Sequence, residues 1–174
     1  GGFIAGSVNL LAGQPGIGKS TLLMQIAANL AAKKKVLYVS GEESSDQVAD
    51  RAKRITKNYK DVMLASSNTT EDIAQTILSG NYDVVIVDSI QTVASNAVGS
   101  APGTVSQITN STHILSQVAK QTTTTLILVG HVTKEGSIAG PKILEHLVDV
   151  VLSIEGDRYG GFKTLRSIKN RYGS

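Results

Sequence analysis

The chain has 174 residues, of which 41% are hydrophobic and 18% charged, a composition typical of one folded domain that excludes an intrinsically disordered chain. Its formal net charge of +3 permits a nucleic-acid partner without requiring one. The lack of cysteine excludes disulfides and cysteine-ligated zinc in this chain, and 4% aromatic residues argue against a single-strand binding surface of stacked rings. No apolar run reaches membrane-spanning length, so we expect a cytoplasmic domain.

Strand patterns alternate with helical patterns along the whole chain. Short apolar or β-branched runs predict strands, and apolar residues three and four apart predict helices. This alternation predicts one α/β domain over residues 1–174, with a mostly parallel central sheet flanked by helices and a C-terminal antiparallel hairpin. In chain order we expect a strand at 8–11, a helix at 22–31, a strand at 36–39, a helix at 44–55, a strand at 62–64, a helix at 69–80, a strand at 84–88, a loop at 94–103, a helix from 105, a strand at 125–129, a loop at 131–141, and strands at 148–155 and 163–170.

The segment 13–20 fits the pattern G-x-x-x-x-G-K-[ST], and it lies between a predicted strand and an amphipathic helix. In that context the pattern indicates a loop whose backbone curls around phosphate oxygens at a helix N-terminus. Lys19 is predicted to contact the β- and γ-phosphates of a nucleoside triphosphate, and Ser20 to ligate Mg²⁺. The predicted nucleotide-binding residues are Gly13, Gln14, Pro15, Gly16, Ile17, Gly18, Lys19, Ser20 and Thr21.

Acidic residues are expected to complete this site. Asp88 ends the most apolar predicted strand, a position suited to a carboxylate that orients Mg²⁺ and its waters. Glu42 and Glu43 follow the strand that begins at Val36, which we expect to lie beside the strand leading into the phosphate loop. A carboxylate there can polarise the water that attacks the γ-phosphate. Two adjacent glutamates on extended backbone cannot both face the nucleotide, so we favour Glu42 and keep Glu43 as the alternative.

His131 directly follows the predicted strand at 125–129. A polar group at that strand end can sense the γ-phosphate and relay its presence to the loop behind it. A histidine simply satisfied by nearby backbone is an equally good interpretation of the same position.

Several motifs resemble those of a known family. The phosphate loop, the turn at 39–44 and the segment 88–92 resemble the RecA-like ATPase core. The segments 130–136, 138–141 and 144–149 are similar to those of the bacterial RadA/Sms DNA repair family. The residues Lys-Asn-Arg-Tyr-Gly at 169–173 resemble that family's K-N-R-F-G signature, with Tyr in place of Phe. The resemblance covers essentially the whole chain.

The resemblance implies an ATP- and Mg²⁺-dependent motor that acts on single-stranded DNA in branch extension and assembles as a homo-hexamer. The segments 94–103 and 131–141 then correspond to two DNA-facing loops, with Lys134 and Lys142 placed to meet DNA phosphates. Members of the family also carry a zinc module and a Lon-protease-like domain, which this sequence does not contain. We therefore interpret the chain as an excised ATPase core.

The resemblance also suggests a role for Lys169 and Arg171. The two residues are two apart on a predicted strand, so both side chains are expected on the same face. In a ring they could reach the γ-phosphate held by a neighbouring subunit, where negative charge spreads in the transition state. Hydrolysis would then depend on assembly.

Two other functions use similar sequence features. A small-molecule kinase shares the phosphate loop but needs an arginine-bearing lid, whereas the Arg-rich segment 158–171 lies in the terminal hairpin. A RecA-like regulatory ATPase of KaiC type shares the Glu42–Glu43 pair and would not act on DNA. Stimulation of ATP turnover by single-stranded DNA separates the two ATPase interpretations.

Overall fold

A computed structural model describes residues 2–132, 143–157 and 159–174 of the chain. Strands and helices alternate as predicted. The strands are β1 (Val8–Gly13), β2 (Val36–Ser40), β3 (Met63–Ser66), β4 (Val84–Asp88), β5 (Thr125–His131), β6 (Val150–Gly156) and β7 (Lys163–Asn170). The helices are α1 (Lys19–Ala31), α2 (Ser45–Ile55), α3 (Thr70–Gly80), α4 (Val105–Thr122) and α5 (Ile143–Leu147), with short 3₁₀ turns at Tyr59–Asp61 and Ile90–Thr92.

These seven strands form one sheet in the order β3-β2-β4-β5-β1-β6-β7. Neighbouring strands pair in parallel except β6 and β7, which form the predicted antiparallel hairpin. The expectation that β2 adjoins β1 is wrong, because β4 and β5 lie between them. Helix α1 packs on one face and leads to β2, whereas α3 and α4 pack on the other face and lead to β4 and β5, which fill the gap.

The core is divided into two layers by the sheet. Successive side chains of a strand point to opposite faces, so Leu10 joins one layer and Leu11 the other. The first layer packs against α3 and α4, through residues such as Ile77 and Leu115, and the second against α1 and α2, through Leu23. Burying both faces explains why β4 and β5 are almost entirely apolar. Within the described residues, every helix is too short or too polar to cross a membrane.

Candidate nucleotide-binding site

The residues predicted to bind the nucleotide and Mg²⁺ converge with Glu42 and His131 at one end of the sheet. Strands β1, β2, β4 and β5 are parallel, so their carboxyl ends meet on the same side, which we call the carboxyl end of the sheet. Gly13 and Asp88 are the last residues of β1 and β4, His131 ends β5, and Glu42 follows β2 by two residues. Parallel pairing alone therefore brings together groups that are far apart in the sequence.

The phosphate loop runs from the end of β1 into the first turn of α1. Gly18 is the N-cap residue of α1 and has a φ of 111°, a conformation that side-chain-bearing residues rarely adopt. No side chain caps this helix, so its N-terminal N–H groups form the kind of end that can receive an anion. The positive φ of Gly18 thus explains why the motif has a glycine directly before Lys19.

Lys19 lies inside this loop. Its side chain is almost fully buried, and Nζ donates to the carbonyl oxygens of Gly13 at 2.6 Å and Gln14 at 2.9 Å. Burial lowers the pKa of Lys19 below its usual value, and the nearby Asp88 carboxylate opposes that shift. The ammonium group is therefore held inside the loop by two neutral carbonyl oxygens. A phosphate oxygen could replace these carbonyls as its hydrogen-bond partner.

Ser20 and Asp88 offer adjacent oxygen atoms for a cation. The Ser20 hydroxyl donates to Asp88 Oδ2 at 2.5 Å, and the Tyr38 hydroxyl donates to the same oxygen. Burial, together with Asp88, raises the pKa of Tyr38 above its usual value, so this hydroxyl stays a donor. Among the residues that the structure describes, no group of three or more His, Cys, Asp or Glu side chains could hold a metal. A hydroxyl beside one carboxylate fits Mg²⁺, which commonly takes its remaining ligands from water and phosphate.

The two glutamates after β2 differ in what they contact. Glu43 forms an ion pair with Arg51, with Nη2 and Oε1 3.1 Å apart, and its N–H donates to Ser40 Oγ at 3.0 Å. Glu42 is exposed, and no described residue forms a hydrogen bond or ion pair with its carboxylate. A Cβ atom at Gly41 would collide with the Thr92 hydroxyl, which explains the glycine in this turn. Glu42 is therefore the carboxylate that remains available, as the sequence-based choice requires.

His131 lies between the groups of this site. Burial lowers its pKa below the usual value and Lys19 lowers it further, while the charges of Asp88 and Glu42 act in the opposite direction. Its Nδ1 is buried and has no hydrogen-bond partner among the described residues. The alternative interpretation, a histidine whose ring is hydrogen-bonded to nearby backbone, is therefore not supported at Nδ1. The role of His131 as a γ-phosphate sensor stays a prediction.

The tip of the β6–β7 hairpin lies beside the phosphate loop. A Cβ atom at Gly156 would lie 2.8 Å from Ile17 Cδ1, and one at Gly18 would lie 3.1 Å from Lys163 Nζ. The register explains this approach, since Gly13 pairs with Ile154 and the hairpin extends two residues further, to the Gly156–Lys163 pair. Sequence reasoning missed Lys163, although counting residues along the predicted hairpin could have found it.

Lys169 lies at the opposite, amino end of the sheet. Lys169 Nζ donates to the carbonyl oxygens of Glu145 at 2.6 Å and Val148 at 2.7 Å. Lys169 pairs with Val151, which pairs with Leu10, so its backbone lies three residues before Gly13, roughly 10 Å at the rise of a strand, and its Nζ lies further from the loop, at Val148. Lys169 therefore does not meet the phosphate loop of its own chain.

Arg171 lies at the same end. Its guanidinium Nη1 is 2.5 Å from Asp149 Oδ1, and the buried Asp149 also accepts from the Val8 N–H and pairs with Lys120. Strand β7 ends at Asn170, so the expectation that both residues lie on the strand is wrong for Arg171, where the chain turns. Both side chains nevertheless reach the segment 145–149.

The predicted DNA contacts are only partly described. Lys134 and Lys142 lie outside the described residues. The loop at 94–103 has no charged residue, and the buried Gln107 side chain ties it down by donating to the carbonyl oxygens of Ser95, Val98 and Ser100 at 2.8–3.1 Å. That loop therefore offers backbone and hydroxyl groups, whereas cationic contacts would have to come from elsewhere.

Tyr38 and Arg51 are further residues that sequence reasoning missed. Tyr38 is fully buried within β2, and Arg51 lies on α2 next to both the Tyr38 hydroxyl and Glu43. The tyrosine hydroxyl in the middle of a mainly apolar strand was the available signal, because a buried hydroxyl needs a partner.

The chain is similar to known proteins over its whole length. A family model described as an AAA domain matches residues 1–137. The DNA repair protein RadA of Aquifex aeolicus (strain VF5) is 47% identical over 174 residues, which are 100% of this chain and 39% of that protein. The DNA repair protein RadA of Rickettsia typhi (strain ATCC VR-144 / Wilmington) is 51% identical over 178 residues, which cover 100% of this chain and 40% of that protein. The chain spans about two fifths of the length of these curated relatives.

A solved structure described as an ATPase domain is also similar to this chain. The two superimpose with a TM-score of 0.82 at 14% sequence identity, covering 99% of this chain and 80% of that one. At this identity the similarity concerns the fold alone. The predicted RecA-like fold, with its mostly parallel sheet and terminal hairpin, is confirmed.

Proposed function

We propose that this chain, which belongs to the family described as an AAA domain, is the ATP-hydrolysing core of a RadA-type recombination and repair motor that acts on single-stranded DNA in branch extension. The proposal includes a cytoplasmic location, a homo-hexameric ring, and this chain as the ATPase core of a longer protein. The observation that supports it best is the separation of the two cationic groups. Lys19 lies at the carboxyl end of the sheet, whereas Lys169 and Arg171 lie at the amino end.

In this proposal the carboxyl end binds and hydrolyses the nucleotide. Lys19 exchanges its carbonyl partners for the β- and γ-phosphates, which the N-terminal N–H groups of α1 also receive. Mg²⁺, held by Ser20 and Asp88, neutralises phosphate charge when bound. Glu42 accepts a proton from the attacking water, and His131 senses whether a γ-phosphate is present.

Lys169 and Arg171, called the finger residues below, are proposed to act on the nucleotide of a neighbouring subunit. Lys169 and Arg171 lie about three and five residues along the strands from Gly13, roughly 10 and 16 Å, so a contact with the phosphate loop of their own chain would need the hairpin to leave the sheet. In a closed ring a head-to-tail interface can bring the amino end of one sheet to the carboxyl end of the next. Hydrolysis would then require assembly while nucleotide binding would not.

A mixing experiment tests the finger. We expect Arg171→Ala to lower the turnover of assembled protein about a thousandfold or more, in line with the loss of an arginine finger. Mixed with Lys19→Ala protein, it should regain partial activity, because one type of interface then has an intact finger and an intact loop. Arg166→Ala, at an exposed β7 residue, is the matched control and should keep full activity. Full activity of isolated monomers would contradict the proposal, as would mixed rings without any recovery.

Single-stranded DNA tests the partner. The longer protein should hydrolyse ATP faster with single-stranded DNA, and its DNA affinity should fall steeply as salt rises, because the contacts are expected to be mainly with phosphates. Lys134→Ala should weaken DNA binding and leave ATP binding unchanged. Turnover that does not respond to DNA would favour the second candidate, a KaiC-type regulatory ATPase, which shares the Glu42–Glu43 pair.

A further inference from the structure

Polar side chains form a continuous path beneath the turn at 41–43. The Tyr38 hydroxyl donates to Asp88 Oδ2, and the Arg51 guanidinium lies near the Tyr38 hydroxyl. Arg51 also reaches Glu43, with Nη2 3.1 Å from Oε1 and Nε 3.4 Å from Oε2. The path therefore begins at the carboxylate proposed to hold Mg²⁺ and ends at the residue next to Glu42.

Glu43 is fixed on three sides. Arg51 holds its carboxylate, the Ser40 hydroxyl accepts its N–H at 3.0 Å, and its carbonyl oxygen accepts from Ser66 Oγ at 3.0 Å. Two guanidinium nitrogens on two carboxylate oxygens set orientation as well as distance. Because Glu42 is covalently joined to this fixed residue, the backbone that carries the Glu42 side chain is fixed too.

Helix α2 explains why Arg51 is available at this place. The helix begins directly after the turn, where Ser44 and Gln47 form a capping box that sets its first residue. Arg51 comes seven residues after the cap, two helical turns on, so it lies on the same face as Ser44. The turn and its anchor are thus parts of one rigid unit.

We propose that Arg51 is a positioning residue of the hydrolytic site. By holding Glu43 and the Tyr38–Asp88 pair in one array, it fixes the separation between the metal-binding carboxylate and the carboxylate of Glu42. Hydrolysis is sensitive to this separation, because misplacing a reacting group by about 1 Å can lower a rate about a hundredfold. The inference rests on the proposed role of Glu42 as the general base.

Arginine is required for this task and lysine is a poor substitute. The planar guanidinium has five N–H donors and can meet the Tyr38 oxygen and both Glu43 oxygens at once. An ammonium group carries the same charge but cannot match the paired carboxylate oxygens in one plane. Arg51→Lys should therefore restore only part of what Arg51→Ala removes.

The first experiment measures steady-state ATP hydrolysis and nucleotide affinity of the longer protein. We expect Arg51→Ala to lower kcat about ten- to a hundredfold, with KM and nucleotide affinity changed less than about twofold. Arg51→Lys should give an intermediate kcat. Arg54→Ala, at an exposed arginine of the same helix, is the matched control and should hydrolyse normally. A normal kcat in Arg51→Ala would overturn the inference. A variant that loses nucleotide affinity as much as kcat, and whose melting temperature also falls, would overturn it too, because the defect would then be a general one of structure.

A double-mutant cycle separates this inference from the proposed function. Glu42→Gln should bind ATP and hydrolyse it slowly, and adding Arg51→Ala should then cost almost nothing further, since both changes disable the same step. Glu43→Gln keeps the shape of the side chain that Arg51 binds, so its rate of ATP hydrolysis should fall only a few-fold. Normal hydrolysis by Glu42→Gln would refute the proposed base. Slow hydrolysis by Glu42→Gln with fully additive losses in the double mutant would refute the inference alone.

Discussion

The two ends of the sheet contrast in the way they hold their cations. At the carboxyl end, Lys19 is held by two loop carbonyls, neutral partners that a phosphate can replace. At the amino end, Arg171 and Lys120 are paired with one buried carboxylate, Asp149, which is only 2% exposed. The first arrangement suits a group that exchanges partners during each turnover. The second suits a group such as Arg171, whose orientation is set by its ion pair with a buried carboxylate.

The largest expected effect separates these two ends by their kinetics. Lys19→Ala should lower both nucleotide affinity and turnover, with turnover falling at least about a hundredfold, because the cation that meets the phosphates is lost. Arg171→Ala should lower turnover while leaving nucleotide affinity within about twofold. Binding of a fluorescent ATP analogue and steady-state hydrolysis measure the two quantities. Equal affinity losses in both variants would remove the distinction between the two ends.

A smaller effect concerns the stability of the amino end. Asp149→Asn preserves shape but removes the charge that Lys120 and Arg171 share, so we expect the free energy of unfolding to fall by about 1–3 kcal/mol. Asp50→Asn, which breaks an exposed pair with Lys53, is the control and should cost less than about 0.5 kcal/mol. Urea unfolding of both variants measures these differences. Equal losses of unfolding free energy in the two variants would mean that Asp149 stabilises the fold no more than an exposed carboxylate does.

The same carboxylate predicts a pH dependence. Burial acts to raise the pKa of Asp149, but the hydrogen bonds from Lys120 and the Val8 N–H, with the nearby charges, leave it below its usual value. A lowered pKa in the folded state means that the stabilisation is present above the unfolded pKa and is lost as pH falls through the folded one. The stability difference between wild type and Asp149→Asn should therefore shrink below about pH 4. A difference that stays constant between pH 7 and pH 3 would contradict this assignment.

The smallest expected effect concerns the hairpin that connects the two ends. Strand β7 carries Lys163 at its start, beside Gly18, and Lys169 near its finish. Since Lys163 is exposed, Lys163→Ala should weaken nucleotide binding only about two- to fivefold, and Lys163→Arg should preserve it. Arg166→Ala serves again as the control. Unchanged affinity in Lys163→Ala would show that the hairpin tip does not contact the nucleotide.

Local pattern was sufficient to predict which residues meet at the carboxyl end of the sheet. The phosphate loop, Asp88 and the glutamate pair each follow an apolar strand, and the parallel arrangement predicted from strand–helix alternation brings such residues to one end of a sheet. The predicted similarity to RadA proteins, the RecA-like fold and the terminal hairpin are confirmed. The roles of the individual residues stay predictions.

Strand order and side-chain partners were decided only by the tertiary structure. Whether β2 adjoins β1 depends on how helices from distant parts of the chain share the two faces of the sheet, and the sequence pattern of β2 is the same in either order. Likewise, the pairing of Glu43 with Arg51 depends on a helix, since Arg51 comes from another element, while the choice between Glu42 and Glu43 as the base stays a prediction. Sequence specifies what each segment can bury, a local property, whereas partners are selected by packing between segments that are remote along the chain.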